Sequence, residues 1–585
     1  MKRWSGAMHV ATTRRQHKDV VYETHLLRRS YREDGKVKNE TLANLSYLPA
    51  HTIQLIKESL AGKTHQIAGE DWEIERSLPH GHVAAIWAMA NKLKLASLIG
   101  PSCRERDLVM SLVISRAARP ASKLATTRWW SDTTLADDFG VKDASTDDVY
   151  CAMDWLVERQ EKIEAALAKR HLSQGSRVLY DLSSSWMEGS SCPLAKYGYS
   201  RDKKRGKTQI EYGLMTDSDG RPLSIEVFPG NTADPTAFAS AVNIARDRFG
   251  LYELVMVGDR GMITQAKIEV LRELGGPDWI TCLRSQQIKA LVEQGALQLG
   301  LFDETNLATI AHPDYPGERL IACRNPDLAK DRARTRVELL CATEAELEKI
   351  TDSVAAKRLA GKDKIGLRVG KVINRHKMAK CFILNIEDDH FSFARNQAAI
   401  ESEAALDGIY VIRTSLDEDQ MSDQDAVEAY KGLSVVERDF RNIKAIDLDL
   451  RPIYHYSEDR VRAHVFICML SAYVTWHLRQ AWAPLCFSDE EIPKRDDPVA
   501  KALRSEKAQM KDAAKTGEDG QVLHSFSTLL HHLSTLTRNT VVFAKGIKIE
   551  KLSLPTPTQR RAFELIGVPI PATLGPSRQK NRADF

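Results

Sequence analysis

The 585-residue chain holds no apolar run approaching the roughly 20 residues that a membrane-crossing helix needs, which excludes a helical membrane protein. No apolar core follows the first residues either, so export is not expected and a cytoplasmic location is. The nine cysteines are scattered, without a Cys-x-x-Cys pair, which argues against a structural zinc site and a disulfide framework. No Gly-x-x-x-x-Gly-Lys loop is present to cradle a nucleotide, so a nucleotide cofactor is not expected; internal repeats are absent too. Charge of one sign is in short supply: the formal net charge is +4, far from the strongly basic balance of many dedicated DNA binders.

What is present is an ordinary globular composition, 43% hydrophobic and 28% charged, at a length that predicts several domains. The cations are locally concentrated. Residues 1–40 hold ten Lys or Arg against five Asp or Glu, and the run Arg201-Asp202-Lys203-Lys204-Arg205-Gly206-Lys207 carries five cations in seven positions.

Patterning divides the chain into six stretches. Residues 1–75 are polar and basic, with a turn at Glu33-Asp34-Gly35, and are expected to contact DNA. Residues 76–172 read as a helical domain, with Ser145-Thr146-Asp147-Asp148 offering an N-cap. Over 173–284 strands are expected at Val178–Tyr180, Gln209–Met215, Leu223–Phe228, Leu254–Val257 and Trp279–Leu283, with helices near 236–248 and 264–274. Asp217-Ser218-Asp219-Gly220 marks a hairpin turn. This order fits a ribonuclease-H-like α/β architecture with a mixed sheet. Residues 285–405 are expected to be an inserted α+β module, since so long a connection is implausible as bare loop. Residues 406–490 return to the core with a helix around Glu437, and 491–585 read as a linker over 494–520 followed by a tail with one short helix near 559–566.

Three carboxylates carry the chemistry. Asp181 ends the apolar run Val178-Leu179-Tyr180, Asp259 ends Leu254-Val255-Met256-Val257-Gly258, and Glu437 lies inside a helical pattern from Tyr430 to Lys444. Strand ends project side chains into the crevice beyond a sheet, and a few carboxylates suffice for Mg²⁺, which takes oxygen ligands and keeps several waters. Two such ions can clamp the attacking and leaving oxygens of a phosphodiester displacement. Tyr430, Glu437 and Lys444 stand seven residues apart, a spacing that drifts only about 20° per step around a helix. They are therefore expected to form one stripe, Tyr430 and Lys444 touching phosphate on either side of Glu437. Leu433, Val436, Phe440 and Ile443 form the adjacent apolar stripe. Arg260, Arg441 and the cations Arg201, Lys203, Lys204, Arg205 and Lys207 are further candidates for DNA contact. Taken singly, each of these residues is an ordinary turn, cap or solvated face.

Together, in this order, they resemble the DDE transposases of bacterial insertion sequences, and most closely the insertion-sequence-four-like branch whose glutamate helix carries Tyr, Arg, Glu and Lys at fixed offsets. Those offsets hold Tyr430, Leu433, Glu437 and Lys444 here. Supporting blocks are Tyr199-Ser200-Arg201-Asp202, Gly230-Asn231-Thr232, Gly258-Asp259-Arg260-Gly261, Ala405-Leu406-Asp407-Gly408-Ile409-Tyr410 and Arg451-Pro452-Ile453-Tyr454-His455. The resemblance spans roughly residues 30–570. It implies Asp181, Asp259 and Glu437 as the catalytic and metal-binding triad on an interrupted ribonuclease-H-like fold. It also implies a two-metal Mg²⁺ site in which Mn²⁺ substitutes, double-stranded DNA as partner, and a homodimer pairing two transposon ends. The expected activity is metal-dependent end cleavage and strand transfer.

Two departures stand out. Leu433 replaces the arginine of the pattern, with Arg438 or Arg441 as substitutes, and no tryptophan occurs between Trp279 and Trp476. Some relatives stack a flipped base on such a tryptophan; Phe302, Tyr315, Phe391 or Phe393 are the rings available instead. His455 and His464 are candidates to orient Glu437, and Glu188 to act as an accessory ligand. Two other readings use the same features: a ribonuclease-H-like endonuclease without strand transfer, and an inactive DNA-binding relic of such an element.

Overall fold

The computed structural model describes residues 7–17, 20–33, 36–63, 72–189, 191–273, 276–302, 305–493, 497–500, 503–543 and 547–575. They fall into two compact units, Met1–Ser77 with Arg538–Ser553, and Leu78–Thr537 with Leu554–Phe585.

The smaller unit is built on an antiparallel sheet of three strands, Met8–His17, Val20–Glu33 and Lys36–Asn44, followed by the helix Ala50–Leu60. A second sheet joins Trp72–Pro79 to Thr537–Phe543 and Lys548–Leu552. The expected turn at Glu33 is flanked by strands, although Asp34 and Gly35 lie outside the described residues. The strands themselves escape a hydrophobic-pattern reading because the outer strands are largely exposed, the central one is only half-buried over residues 24–31, and all carry Arg, Lys, Thr or Glu.

In the larger unit an eight-stranded sheet positions the site. Its strands are β1 (Arg177–Trp186), β2 (Gln209–Asp217), β3 (Pro222–Pro229), β4 (Val255–Gly258), β5 (Asp278–Cys282), β6 (Leu307–Ile310), β7 (Arg319–Arg324) and β8 (Ile409–Thr414). They lie in the order β3-β2-β1-β4-β5-β8-β7-β6. β1, β2 and β3 are antiparallel, β4 and β5 run parallel to β1, and β8, β7 and β6 extend the sheet antiparallel. The β2–β3 turn is the predicted one: Gly220 takes φ +81° and Asp217 Oδ1 accepts the Asp219 and Arg221 N–H groups.

Successive residues of β1 serve opposite faces. Val178, Tyr180 and Leu182 pack with Phe238, Met256 and Ile263, whereas Leu179 joins the large core that includes Tyr212, Val436 and Phe440. The helices of 81–171 pack around the long buried helix Glu458–Ala481 in that same core. Among the described residues no helix is long and apolar enough to cross a membrane.

The region expected to be a single insertion is divided. β6 and β7 belong to the central sheet, and only residues 326–404 form a body with its own core, centred on Leu347, Val369, Phe382 and Phe391. That body consists of the helices Pro326–Ala355 and Lys362–His376, the hairpin Phe382–Ile386/Phe391–Arg395 and the helix Gln397–Ala404. Leu320, Ile321, Ala322 and Cys323 are buried on both sides of β7, which is what an interior strand requires. The expected linker at 494–520 is likewise corrected: Ser505 caps a helix, Glu506–Ala514, and the buried Lys511 ammonium reaches the Ala483 and Ser488 carbonyls and Glu490. Residues 494–496 and 501–502 of that stretch lie outside the described residues.

Candidate active site

β1 and β4 pair in parallel with Tyr180 opposite Gly258, so the next residues, Asp181 and Asp259, lie side by side; Asp259 follows the end of β4, whereas Asp181 sits midway along β1 and not at a strand end as expected. Strand spacing puts their backbones about 5 Å apart. Asp181 alternates with Tyr180 and therefore shares the face of Leu179. Over that face runs the helix Leu433–Arg441. A Cβ built on Gly432 would meet Leu179 at 3.5 Å, and the Phe440 ring lies edge-on to Tyr212 at 5.7 Å. Val436 and Phe440 are buried beneath the helix as their spacing predicts, Ile443 is buried in the turn that follows, and Glu437 is exposed.

Asp181, Asp259 and Glu437 line one open cleft of about 840 Å³, together with Tyr430, Leu433 and Asn325. Burial pushes the Asp181 carboxyl up to about 7, and the charges of Asp259 and Glu437 push in the same direction. The Leu182 N–H, donated to Asp181 Oδ1 at 2.8 Å, and the nearby Arg201 oppose that shift. Asp259 Oδ1 accepts the Arg260 N–H at 2.7 Å. Among the described residues none of the three carboxylates forms an ion pair, and no three His, Cys, Asp or Glu side chains are already gathered into a metal-binding group.

Other expected contacts are distributed differently. Tyr430 reaches the cleft, half-buried, with burial and the charge of Asp259 holding its hydroxyl far above the usual range. Lys444 does not share the stripe of Glu437, which corrects the seven-residue expectation. The helix loosens into a π-turn at Asn442–Ile446, and Lys444, 8% exposed, donates to Asp202 Oδ1 at 3.0 Å. Arg451 binds the same Asp202 oxygen. A π-turn adds a residue to one turn and rotates everything after it, so 3.6-residue spacing fails beyond Asn442.

Arg201 sits close enough to act on Asp181 but is engaged: it donates to Asp234 Oδ1 at 2.7 Å and lies 3.5 Å from Glu211, while its N–H donates to Ser184. Lys203, Lys204, Arg205 and Lys207 are exposed on the following loop; Lys204 stands 5.1 Å over the Trp186 ring and Lys207 pairs with Glu188 at 2.7 Å. Glu188 thus belongs to that loop and does not line the carboxylate cleft. Arg260, Arg438 and Arg441 are exposed near the triad.

The histidines and aromatic substitutes are corrected. Buried His464 accepts from Lys123 Nζ at Nδ1 (3.1 Å) and donates from Nε2 to the Leu450 carbonyl at 3.0 Å, and His455 packs on its ring. Neither lines the carboxylate cleft. Phe302, Tyr315 and Phe391 are buried, and Phe393 stacks on Phe391, so these rings serve cores. Sequence reasoning passed over Asp202, whose role needed two cations distant in sequence. It also passed over Lys431, which holds the 498–500 backbone beside the cleft through the carbonyls of Val499 and Ala500 at 2.8 and 3.1 Å.

The transposase DDE domain model matches residues 175–474, just over half of the chain, and the N-terminal domain model of the IS1634 family of transposases matches residues 10–73. No curated protein matches. Among solved structures, a piggyBac transposase synaptic complex with hairpin DNA is 10% identical and aligns over 77% of this chain and 76% of that one at a TM-score of 0.34, too low to bear on the fold. With that domain spanning both aspartates and the glutamate helix, the chain belongs to the insertion-sequence DDE transposases.

Proposed function

We propose that this transposase binds the terminal inverted repeats of its own insertion sequence, cleaves DNA at those ends and joins the freed 3′-hydroxyl to target DNA, with Asp181, Asp259 and Glu437 as the catalytic carboxylates. The observation that carries this reading is the cleft itself, which three acids, from two adjacent chain segments of the sheet and the helix above them, line together without an ion pair among the described residues. The strand order β3-β2-β1-β4-β5, with the first acid on β1 and the second after β4, supports a ribonuclease-H-like core.

The donor set fits a hard divalent cation. All three groups are carboxylates, the ligand type Mg²⁺ and Mn²⁺ favour, and the mutual repulsion felt by Asp181 is what such a cation relieves. A pair of bound metals would supply Lewis-acid stabilisation of the charge that develops on the phosphate. The chain's own contribution is positional. Rigid strands fix Asp181 and Asp259, backbone N–H groups orient one oxygen of each, and the buried Val436–Phe440 face seats the helix that presents Glu437. Tyr430 offers a hydroxyl donor at the cleft wall, in keeping with the Tyr-Arg-Glu-Lys branch. Lys444 departs from that branch by supporting the helix end instead of meeting DNA. Arg438 and Arg441 are the exposed cations nearest Glu437 in sequence and take the place of the missing arginine. The basic strands of the N-terminal unit contribute to end binding, and two copies pair two ends.

The test is a strand-transfer assay with end-sequence duplex, Mg²⁺ or Mn²⁺ and supercoiled target. Joined product, lost in Glu437→Gln, is expected. Cleavage without joining would favour the endonuclease reading, and end binding without cleavage by the intact protein would overturn the catalytic one.

A further inference from the structure

Where β1 runs on past Asp181, the surface is basic and unusually rich in exposed tyrosine. Two irregular segments carry it. In the first, the backbone of Lys196 is bonded both ways to Gln209, and Gly198 is pressed so tightly on Gly230 that a Cβ would fall 1.9 Å from the Gly230 oxygen. The flanking Tyr197 and Tyr199 are left 72% and 80% exposed. In the second, Ile453 is fully buried and bridges Met187, His455 turns in against His464, and Tyr454 and Tyr456 stand out at 59% and 67% exposure. The two segments are joined through one ladder, since Glu188 N–H donates to Ile453 and Met187 N–H to Thr208, next to Gln209. Trp186 ends β1 at the centre of this ladder, with Lys204 and Arg451 at 5.1 and 5.4 Å from its ring.

We propose that this surface holds an unpaired DNA strand leading away from the Asp181 cleft. Exposed cations attract any nucleic-acid backbone. Four tyrosine rings held outward by anchored neighbours can offer a duplex only their hydroxyls, since its base faces are stacked inside; unpaired bases offer those faces to the rings themselves. Charge complementarity comes from Lys203, Lys204 and Arg205, none of which meets a carboxylate in an ion pair among the described residues. Position adds to this: five residues of strand place Trp186 about 17 Å from Asp181, within a few nucleotides of a phosphate in the cleft. That link to the cleft rests on the function proposed above; the binding of unpaired DNA does not.

The experiment uses the full chain in EDTA, with fluorescein-labelled 20-nucleotide oligothymidine and a 20-base-pair duplex as separate probes, followed by anisotropy. Two double variants are compared, Tyr197→Ala/Tyr199→Ala and Tyr454→Ala/Tyr456→Ala, each beside its Phe counterpart. Stacking is worth about a tenfold factor per ring. The Kd for the single strand is expected to rise at least about 30-fold in each Ala pair and to stay within about threefold in the Phe pairs. Duplex affinity is expected to hold. Equal weakening of both probes, equal effects of Phe and Ala, or unchanged single-strand binding would overturn the proposal. So would a fall in molecular mass by light scattering in an Ala pair, which would make the patch a contact between copies. Because no metal is present, failure here is distinct from failure of the cleavage reading.

Discussion

Two groups of acids are set around β1, on strands, loops and helices, and the chain treats them in opposite ways. Asp202, with a side chain only 2% exposed, is neutralised by Lys444 and Arg451, and Asp234 and Glu211 share Arg201. Asp181, Asp259 and Glu437 line a cleft and receive no such partner among the described residues. A carboxylate withdrawn from water is costly unless a cation compensates it. The Asp202 group is compensated from within and acts as scaffold, tying the basic loop to the end of the glutamate helix. On the function proposed above, the cleft is left for a cation and a phosphate from outside.

The largest expected effect is at the cleft. Asp259→Asn, which keeps the shape and removes the charge, is expected to lower end cleavage at least about a thousandfold while leaving duplex binding within a factor of two or so. Gel-based cleavage beside anisotropy checks both. At the scaffold the same kind of change should act on stability. Asp202→Ala strands two cations and is expected to cost about 3 kcal/mol in urea unfolding, with the double variant Asp202→Ala/Lys444→Met recovering part of it.

A buried cation without an acid sharpens the point in the other sense. Burial pushes Lys123 down to about 7, beside Arg116, and its ammonium meets only the neutral His464 ring among the bonds described. Between about 7 and the free value of 10.5 the unfolded chain holds a proton that the folded chain does not. Stability should therefore rise with pH across that window, with the full penalty present below about 7. Lys123→Met is expected to flatten that rise, read from urea midpoints at pH 7 and pH 9.5. The smallest expected effect is at the exposed loop, where Arg205→Ala should reduce the slope of log binding against log salt by about one.

The sequence made the alternation of the core legible. Asp181 and Asp259 end apolar runs that become the first part of β1 and all of β4, the 217–220 turn closes β2 and β3, and Val436 and Phe440 seat the helix as their spacing required. These features are local or periodic. What stayed hidden depends on distant partners or broken periods. The Asp202–Lys444–Arg451 node joins residues about 240 positions apart, the π-turn rotates Lys444 off the stripe, and β6 and β7 look like part of an insertion until β8 pairs with β7, which carries β6 on its far edge. The strands of the N-terminal unit bury little of either face and leave no hydrophobic pattern to read.

On the proposed function, the cleft acids lack an ion-pair partner among the described residues because they await a divalent cation. Calorimetric titration of the intact protein with Mn²⁺, beside Asp181→Asn and Glu437→Gln, tests it without reference to any DNA. Saturable binding in the intact chain, weakened at least about tenfold in each variant, is the predicted result. Binding of equal strength in all three proteins, or none in the intact one, would contradict it.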